Sequence, residues 1–368
     1  MLFSKILGQT SSKQRLRDMV QRERIPHAQL FLGSNGSGTL ALALAFIQYA
    51  LCEGARGDDS CGECGACQKM IKRVHPDVHF SYPTIGAGAT SGQFATEWRA
   101  AMAQNPYLNL HQWLQKIGAE NKQGNINKDE CLSIVKKLSL KAFEGKFKIL
   151  LMWLPEYLGK EGNRLLKLIE EPPDDTLFIL VAEQQELILN TIISRCQIVQ
   201  IYPLQDEDVA EGLVRKIGLT WEKARALAPL ADGNLNEALT LASQTDHDLS
   251  MMFVDWMRKC FKGDGAELVP WVEKFATQGR ENQKYFLQYG LHFLREMMRW
   301  QVGNNQLTVR LQAAELTVAQ KMSQIVGLEK VAPIATLFDD CSRHVERNAN
   351  PKILFLDASI QLHKILKS

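Results

Sequence analysis

The sequence lacks any long hydrophobic run. No stretch of 18 uninterrupted apolar residues occurs in the 368-residue chain, and the nearest candidate, 40–51, is broken by Gln48. A membrane-spanning helix needs about 20 such residues, so no membrane partner is expected. The chain also has little net charge, since 43 Lys and Arg stand against 41 Asp and Glu to leave +2. That excludes a global basic field, and any contact with nucleic acid must come from a local patch. The opening MLFSKILGQT has no apolar core and no small-residue cleavage site, so a signal peptide is not expected and the location expected is cytoplasmic. A dispersed disulfide framework is missing too. Four of the eight cysteines crowd into 52–67, and Cys131, Cys196, Cys260 and Cys341 are isolated. Clustering of that kind in a reducing compartment favours metal over disulfides.

The chain is 45% apolar and 23% charged, which excludes a disordered or collagen-like protein. At roughly 100–200 residues per domain, the length predicts two or three domains, each able to bury a core. Residues 11–24 are expected to be helical, with Pro26 ending the stretch. The segment 28–33 (AQLFLG) reads as a short buried strand, 33–38 (GSNGSG) as a Gly-rich turn and 39–52 as a buried helix. Strand, Gly-rich turn and helix open a nucleotide-binding α/β unit. A short strand is expected at 78–82. The stretch 83–126 reads as an insertion in the α/β core: a Gly/Ala/Ser/Thr-rich loop, a mildly amphipathic 94–117, and a second loop. Apolar runs at 146–154 and 176–182 read as central parallel strands, with helices at 128–139 and 161–170 and a last strand near Ile201. Beyond Pro203 the pattern is helical. Three short helices are expected at 206–217, 221–230 and 235–243, then longer ones, including an apolar stripe of Phe286, Tyr289, Phe293, Met297 and Trp300 at spacings of three and four. The fold class expected is therefore an α/β core with a parallel sheet over 1–203, a small helical domain over 204–246 and an all-α domain over 247–368.

A working phosphate loop reads G-x-x-x-x-G-K-[ST]. Its backbone amides cradle phosphates, the Lys reaches the β/γ oxygens, and the hydroxyl holds magnesium. Gly33, Gly36 and Gly38 keep the glycine pattern, but Thr39 stands at the Lys position and Leu40 at the Ser/Thr position. A hydroxyl supplies no positive charge and leucine cannot ligate a hard cation, so magnesium-dependent ATP hydrolysis is not expected here. The partner strand, which in such ATPases ends in Asp-Glu, ends here in Trp153 and Leu154, with Glu156 beyond. An ordinary turn in another α/β protein would have the same glycines, so the loop alone does not decide.

Cys52, Cys61, Cys64 and Cys67 have the spacing C-x8-C-x2-C-x2-C. Closely spaced thiolates surround one Zn²⁺ at little loop-closure cost, and four of them leave no open position, so the expected metal is structural zinc rather than catalytic. His75 is a conceivable ligand, but a packing or capping histidine is the commoner role. Lys69, Lys72 and Arg73 beside the cluster read as a solvated face.

Five motifs stand in one order: IPHAQLFLGSNGSG (25–38), the four-cysteine module, HPD (75–77), NRLLKLIEEPP (163–173) and TIISRCQ (191–197). Together they resemble the clamp-loader AAA+ ATPases of the bacterial replicative DNA polymerase, over about 7–82 and 126–245. The resemblance implies an AAA+ core, a helical lid and a helical collar joining five subunits in a ring. The motor members of that family keep the Lys, the Ser/Thr and the Asp-Glu, and carry a lid arginine where this chain has Asn236. A chain that has lost all of these resembles the family's non-hydrolysing stator. In the family, the Arg of the Ser-Arg-Cys motif projects into the neighbouring subunit's ATP site. Here that residue is Arg195, flanked by Ser194 and Cys196. The implied partners are motor subunits of the gamma/tau type, a clamp-opening delta subunit, the sliding clamp and primer–template DNA. The alternatives are an active AAA+ ATPase with an atypical loop, and a zinc-dependent DNA-binding protein.

Overall fold

Five strands form one parallel sheet in the order β2-β3-β4-β1-β5: β1 Ala28–Leu32, β2 Val78–Ser81, β3 Lys148–Trp153, β4 Thr176–Ala182 and β5 Gln197–Gln200. The structure is a computed structural model that describes residues 1–54, 57–119, 123–244, 249–303, 309–311 and 313–368. Parts of the expected zinc module, insertion, lid and collar therefore lie outside the described residues.

The central strands follow from their composition. β3 (KILLMW) and β4 (TLFILVA) are buried at every position, as strands covered on both faces must be. Register is set by pairs such as Ala28↔Phe178, Leu150↔Phe178 and Leu30↔Ile198. One face is covered by α2 (Thr39–Ala50), all twelve residues of which are buried. The other carries α6 (Lys128–Leu138), with Ile134 and Leu138 packed among Leu30, Leu150 and Phe178. Each such side chain contributes about 1.5–3 kcal/mol on burial. Around this core lie α1 (Thr10–Gln21), α3 (Gly65–Lys72), α4 (Ala95–Gln104), α5 (Leu110–Lys116), α7 (Leu166–Glu170) and α8 (Asn190–Ile193). The expected helix 161–170 is instead a 3₁₀ run, Pro155–Leu165, followed by α7, with a non-helical break at Gly159.

The remaining elements are α9 (Asp206–Ile217), α10 (Trp221–Leu227), α11 (Leu235–Gln244), α12 (Leu249–Lys262), α13 (Gly265–Ala276), α14 (Arg280–Val302), α15 (Ala313–Ser323), α16 (Leu328–Glu346) and α17 (Pro351–Lys367). The chain divides into two units, Met1–Gly212 with Asp232–Glu237, and Leu213–Ala231 with Ala238–Ser368. The second unit is all helical. Its core gathers Phe253, Trp256, Phe286 and Phe338, and Gly290 leaves room for the Phe253 and Phe338 rings, which a Cβ there would approach to 2.8 Å. Phe286, Tyr289, Phe293 and Met297 of the expected stripe are buried in it. Among the described residues, no helix is long and apolar enough to cross a membrane.

Candidate nucleotide loop, arginine and metal centre

The carboxyl ends of parallel strands are where ligands bind in open α/β sheets, and the Gly-rich loop leaves β1 there. Gly36 and Gly38 adopt φ of 71° and 89°, values that suit glycine. The loop joins β1 to the N-terminus of α2, and other segments pack against it. A Cβ at Gly36 would lie 1.8 Å from Asn234 Oδ1, and one at Gly38 would lie 2.9 Å from the Tyr107 ring. Leu235 N donates to the Gly36 carbonyl (3.2 Å), and Gln9 Nε2 donates to the Ser37 carbonyl (3.1 Å). Ser37 Oγ lies 2.8 Å from Thr39 Oγ1 and donates to the Ser34 carbonyl at 2.6 Å, so both hydroxyls are engaged within the loop. The space left above the loop, between Tyr107 and Trp153, is about 20 Å³. That is room for one water, whereas small-molecule sites measure about 300–1,000 Å³.

The acid position is equally changed. Trp153 is buried, its ring 5.4 Å from Trp98 of the insertion. Leu154 follows with φ of 58°, a conformation that costs an L residue roughly 1–2 kcal/mol. Glu156 beyond it does not reach back to the phosphate loop. Its Oε1 accepts from Glu183 N (2.5 Å) and Gln184 N (2.8 Å), so it fastens the end of β4. Burial raises the pKa of Glu156 above the usual carboxylate range, and burial together with the Glu156 charge pushes Glu183 up to about 7.

Arg195 sits between α8 and β5. Ile192 and the half-buried Cys196 anchor the turn against the sheet core, and burial pushes the Cys196 thiol up to about 11, so it packs rather than reacts. Arg195 Nη1 donates to the Thr191 carbonyl (2.7 Å) and to Ser194 Oγ (3.1 Å), while Nη2 pairs with Glu170. Its side chain keeps 35% of its surface in solvent. The guanidinium is thus oriented by its own motif and by Glu170, yet open to another molecule.

The four Sγ atoms of Cys52, Cys61, Cys64 and Cys67 lie within 4.8 Å of one another. Zn–S bonds of about 2.3 Å in a tetrahedron place sulfurs roughly 3.8 Å apart, so the set fits zinc. Cys52 and Cys61 sulfurs are 3.5 Å apart, and those of Cys61 and Cys67 are 3.9 Å apart. Amides point at the sulfurs: Cys64 N and Glu63 N donate to Cys61 Sγ at 3.3 and 3.5 Å, and this lowers the Cys61 thiol to about 6. Cys64 caps α3, accepting from Cys67 N at 3.5 Å. His75 is not part of the set. Its Nδ1 accepts from Asp77 N (3.2 Å), and its Nε2 lies 3.6 Å from Glu144. Asp77 in turn accepts from the amides of Phe143, Glu144 and Gly145 at 2.5–2.9 Å. Burial alone would raise its pKa, but those amides hold it below the ordinary value. The HPD motif is therefore a loop anchor. Lys69 of the expected solvated face pairs with Glu144, and Arg73 donates to the Ile71 carbonyl at 2.6 Å.

Residues 8–205 match the family model described as DNA polymerase III, delta subunit. The chain belongs to that family. Relatives include the DNA polymerase III subunit delta' of Bacillus subtilis (strain 168), 28% identical over 228 residues, covering 62% of this chain and 57% of that one. The delta' subunit of Escherichia coli (strain K12) is 26% identical over 224 residues, covering 60% and 56%. The DNA polymerase III subunit tau of B. subtilis is 27% identical over 248 residues, covering 66% and 37%. This family member thus spans just over half the length of the two delta' relatives. Tyr107, whose ring lies against Gly38, carries no local motif in the sequence, and neither do its neighbour Asn105 or Trp98, which packs on Trp153. Gln9 and Asn234, which also contact the loop, carry no local motif either.

Proposed function

We propose that this chain is a non-hydrolysing subunit of the DNA polymerase III clamp loader. It would assemble with gamma/tau-type motor subunits and a delta subunit, and act in loading the sliding clamp on primed DNA. One observation carries the reading: a phosphate loop without Lys or acid, closed over about 20 Å³, in a chain whose Arg195 guanidinium is exposed. Arg195 would enter the ATP site of a neighbouring motor subunit, with Ser194 fixing its rotamer and Cys196 fixing the turn. There a guanidinium stabilises charge on the transferring phosphoryl group, an effect worth about 10³–10⁵ in rate in the best-known cases. Exchanging the exposed Glu170 partner for a phosphate costs little, because surface ion pairs contribute roughly 0–1 kcal/mol. The four cysteines would hold one structural zinc ion. The helices beyond 247 would form the collar, and 204–246 the lid.

Steady-state ATP turnover tests the reading. Motor subunits, delta, clamp and primed DNA are mixed with and without this chain, and the chain alone serves as the blank. The expected result is stimulation by the chain and a silent blank. Phosphate release by the chain alone would favour the active-ATPase alternative, to which the likeness to a tau subunit points.

A further inference from the structure

We propose that the insertion between β2 and α6 carries a built-in occupant of the nucleotide site. Residues 105–108 fill the space over the phosphate loop and brace the surrounding segments, as a bound nucleotide would. The inference rests on the reading of 33–40 as a degenerate phosphate loop, and is independent of Arg195.

The described part of the insertion is held together by its own contacts. Thr84 and Asn125 exchange both backbone hydrogen bonds at 2.9 Å, closing its neck. Inside, Trp98 stacks on Tyr82 with ring centroids 4.1 Å apart and meets Trp113 edge-on at 5.3 Å. Trp113 Nε1 donates to the Pro83 carbonyl (2.8 Å), and the Tyr82 hydroxyl donates to the Ser91 carbonyl (2.7 Å). From the insertion the segment between α4 and α5 reaches the phosphate loop. Asn105 Oδ1 accepts from Tyr107 N (3.2 Å), which sets the turn. The Tyr107 hydroxyl oxygen accepts from Leu7 N (3.2 Å), its ring covers Gly38, and Leu108 completes the lining. Asn105 Nδ2 donates to Asn236 Oδ1 at 3.1 Å, at the position where the family's motors carry an arginine.

The segment before α1, the phosphate loop and the start of α11 therefore meet on one piece of chain. The amides of a phosphate loop at a helix N-terminus attract an anion. Here the Tyr107 ring and the buried Leu108 line that space. The Trp at the acid position belongs to the same device, because Trp153 is one of the rings against which Trp98 packs. It follows that restoring the missing loop chemistry does not by itself restore nucleotide binding.

The test uses the full zinc-loaded chain and a fluorescent ATP analogue with magnesium. Four proteins are compared: wild type, Thr39→Lys with Leu40→Thr, Tyr107→Ala, and the triple variant. The expected result is no saturable binding for wild type or the double variant, and saturable binding for the triple variant. Equal binding by the double and triple variants would overturn the proposal, as would a triple variant that keeps the wild-type circular dichroism yet binds no better. Tyr107→Phe gives a reading without nucleotide or a cavity. It leaves Leu7 N without its acceptor, so amide exchange at Leu7 should quicken at least tenfold, and an unchanged rate contradicts the brace. ATP turnover by wild type would mean instead that the loop is not degenerate, which is a failure of the underlying functional reading.

Discussion

Trp98 lies within 5.5 Å of three other aromatic rings, Tyr82, Trp113 and Trp153, and is almost wholly buried. Truncating such a residue removes its transfer energy and leaves a cavity. Trp98→Ala should therefore cost about 3–5 kcal/mol of unfolding free energy, read from a urea titration. A loss below about 1 kcal/mol would contradict the packing described. Glu183 predicts a pH effect. Its native pKa of about 7 lies above that of an unfolded glutamate, so the folded state binds the proton more tightly. Its stabilising share is complete below the unfolded value of about 4.3 and is lost as pH rises through about 7. Glu183→Gln should therefore gain stability relative to wild type between pH 5 and pH 8, checked by thermal melts across that range. A wild-type-minus-variant difference that does not move with pH would show that Glu183 is not held protonated.

Among the elements, those written in short-range patterns were legible in the sequence. β3 and β4 announce themselves as apolar runs, α2 as a longer one after the glycines, and the four-cysteine cluster as cysteine spacing. The insertion was not legible. The expected single stretch 94–117 is two helices, α4 and α5, parted by Asn105, Pro106 and neighbours that cap and turn the chain. Trp98 and Trp113 give no periodic signal, because their partners Tyr82 and Trp153 come from β2's end and β3. For the same reason the sequence showed that Thr39 and Leu40 lack the chemistry, but not that Tyr107 fills the site. The 204–246 segment also reads differently in three dimensions, since 232–237 cluster with the sheet and 213–231 with the C-terminal helices. For the cysteine module the prediction is direct. The protein should bind one zinc per chain by elemental analysis, and Cys64→Ser should lose that metal and melt earlier, since binding energy at a structural zinc site is folding energy. Full zinc retention by Cys64→Ser would remove Cys64 from the ligand set.

At the scale of the whole molecule, a net charge of only +2 and a closed phosphate loop leave the chain few ways to act alone. The expectation of little DNA affinity in isolation follows from the first, and on the proposed reading the second makes any ATP chemistry depend on partners. On the proposed reading, the group offered to a neighbouring subunit is Arg195, oriented by Thr191, Ser194 and Glu170. The most direct measurement is the ATP turnover of the complete assembly containing wild type, Arg195→Ala or Arg195→Lys, with assembly verified by size exclusion. The account predicts that Arg195→Ala lowers kcat by at least tenfold at the site it serves, with little change in KM. Lys should rescue only in part, because a point charge lacks the planar fork. Wild-type turnover from a fully assembled Arg195→Ala complex would contradict it.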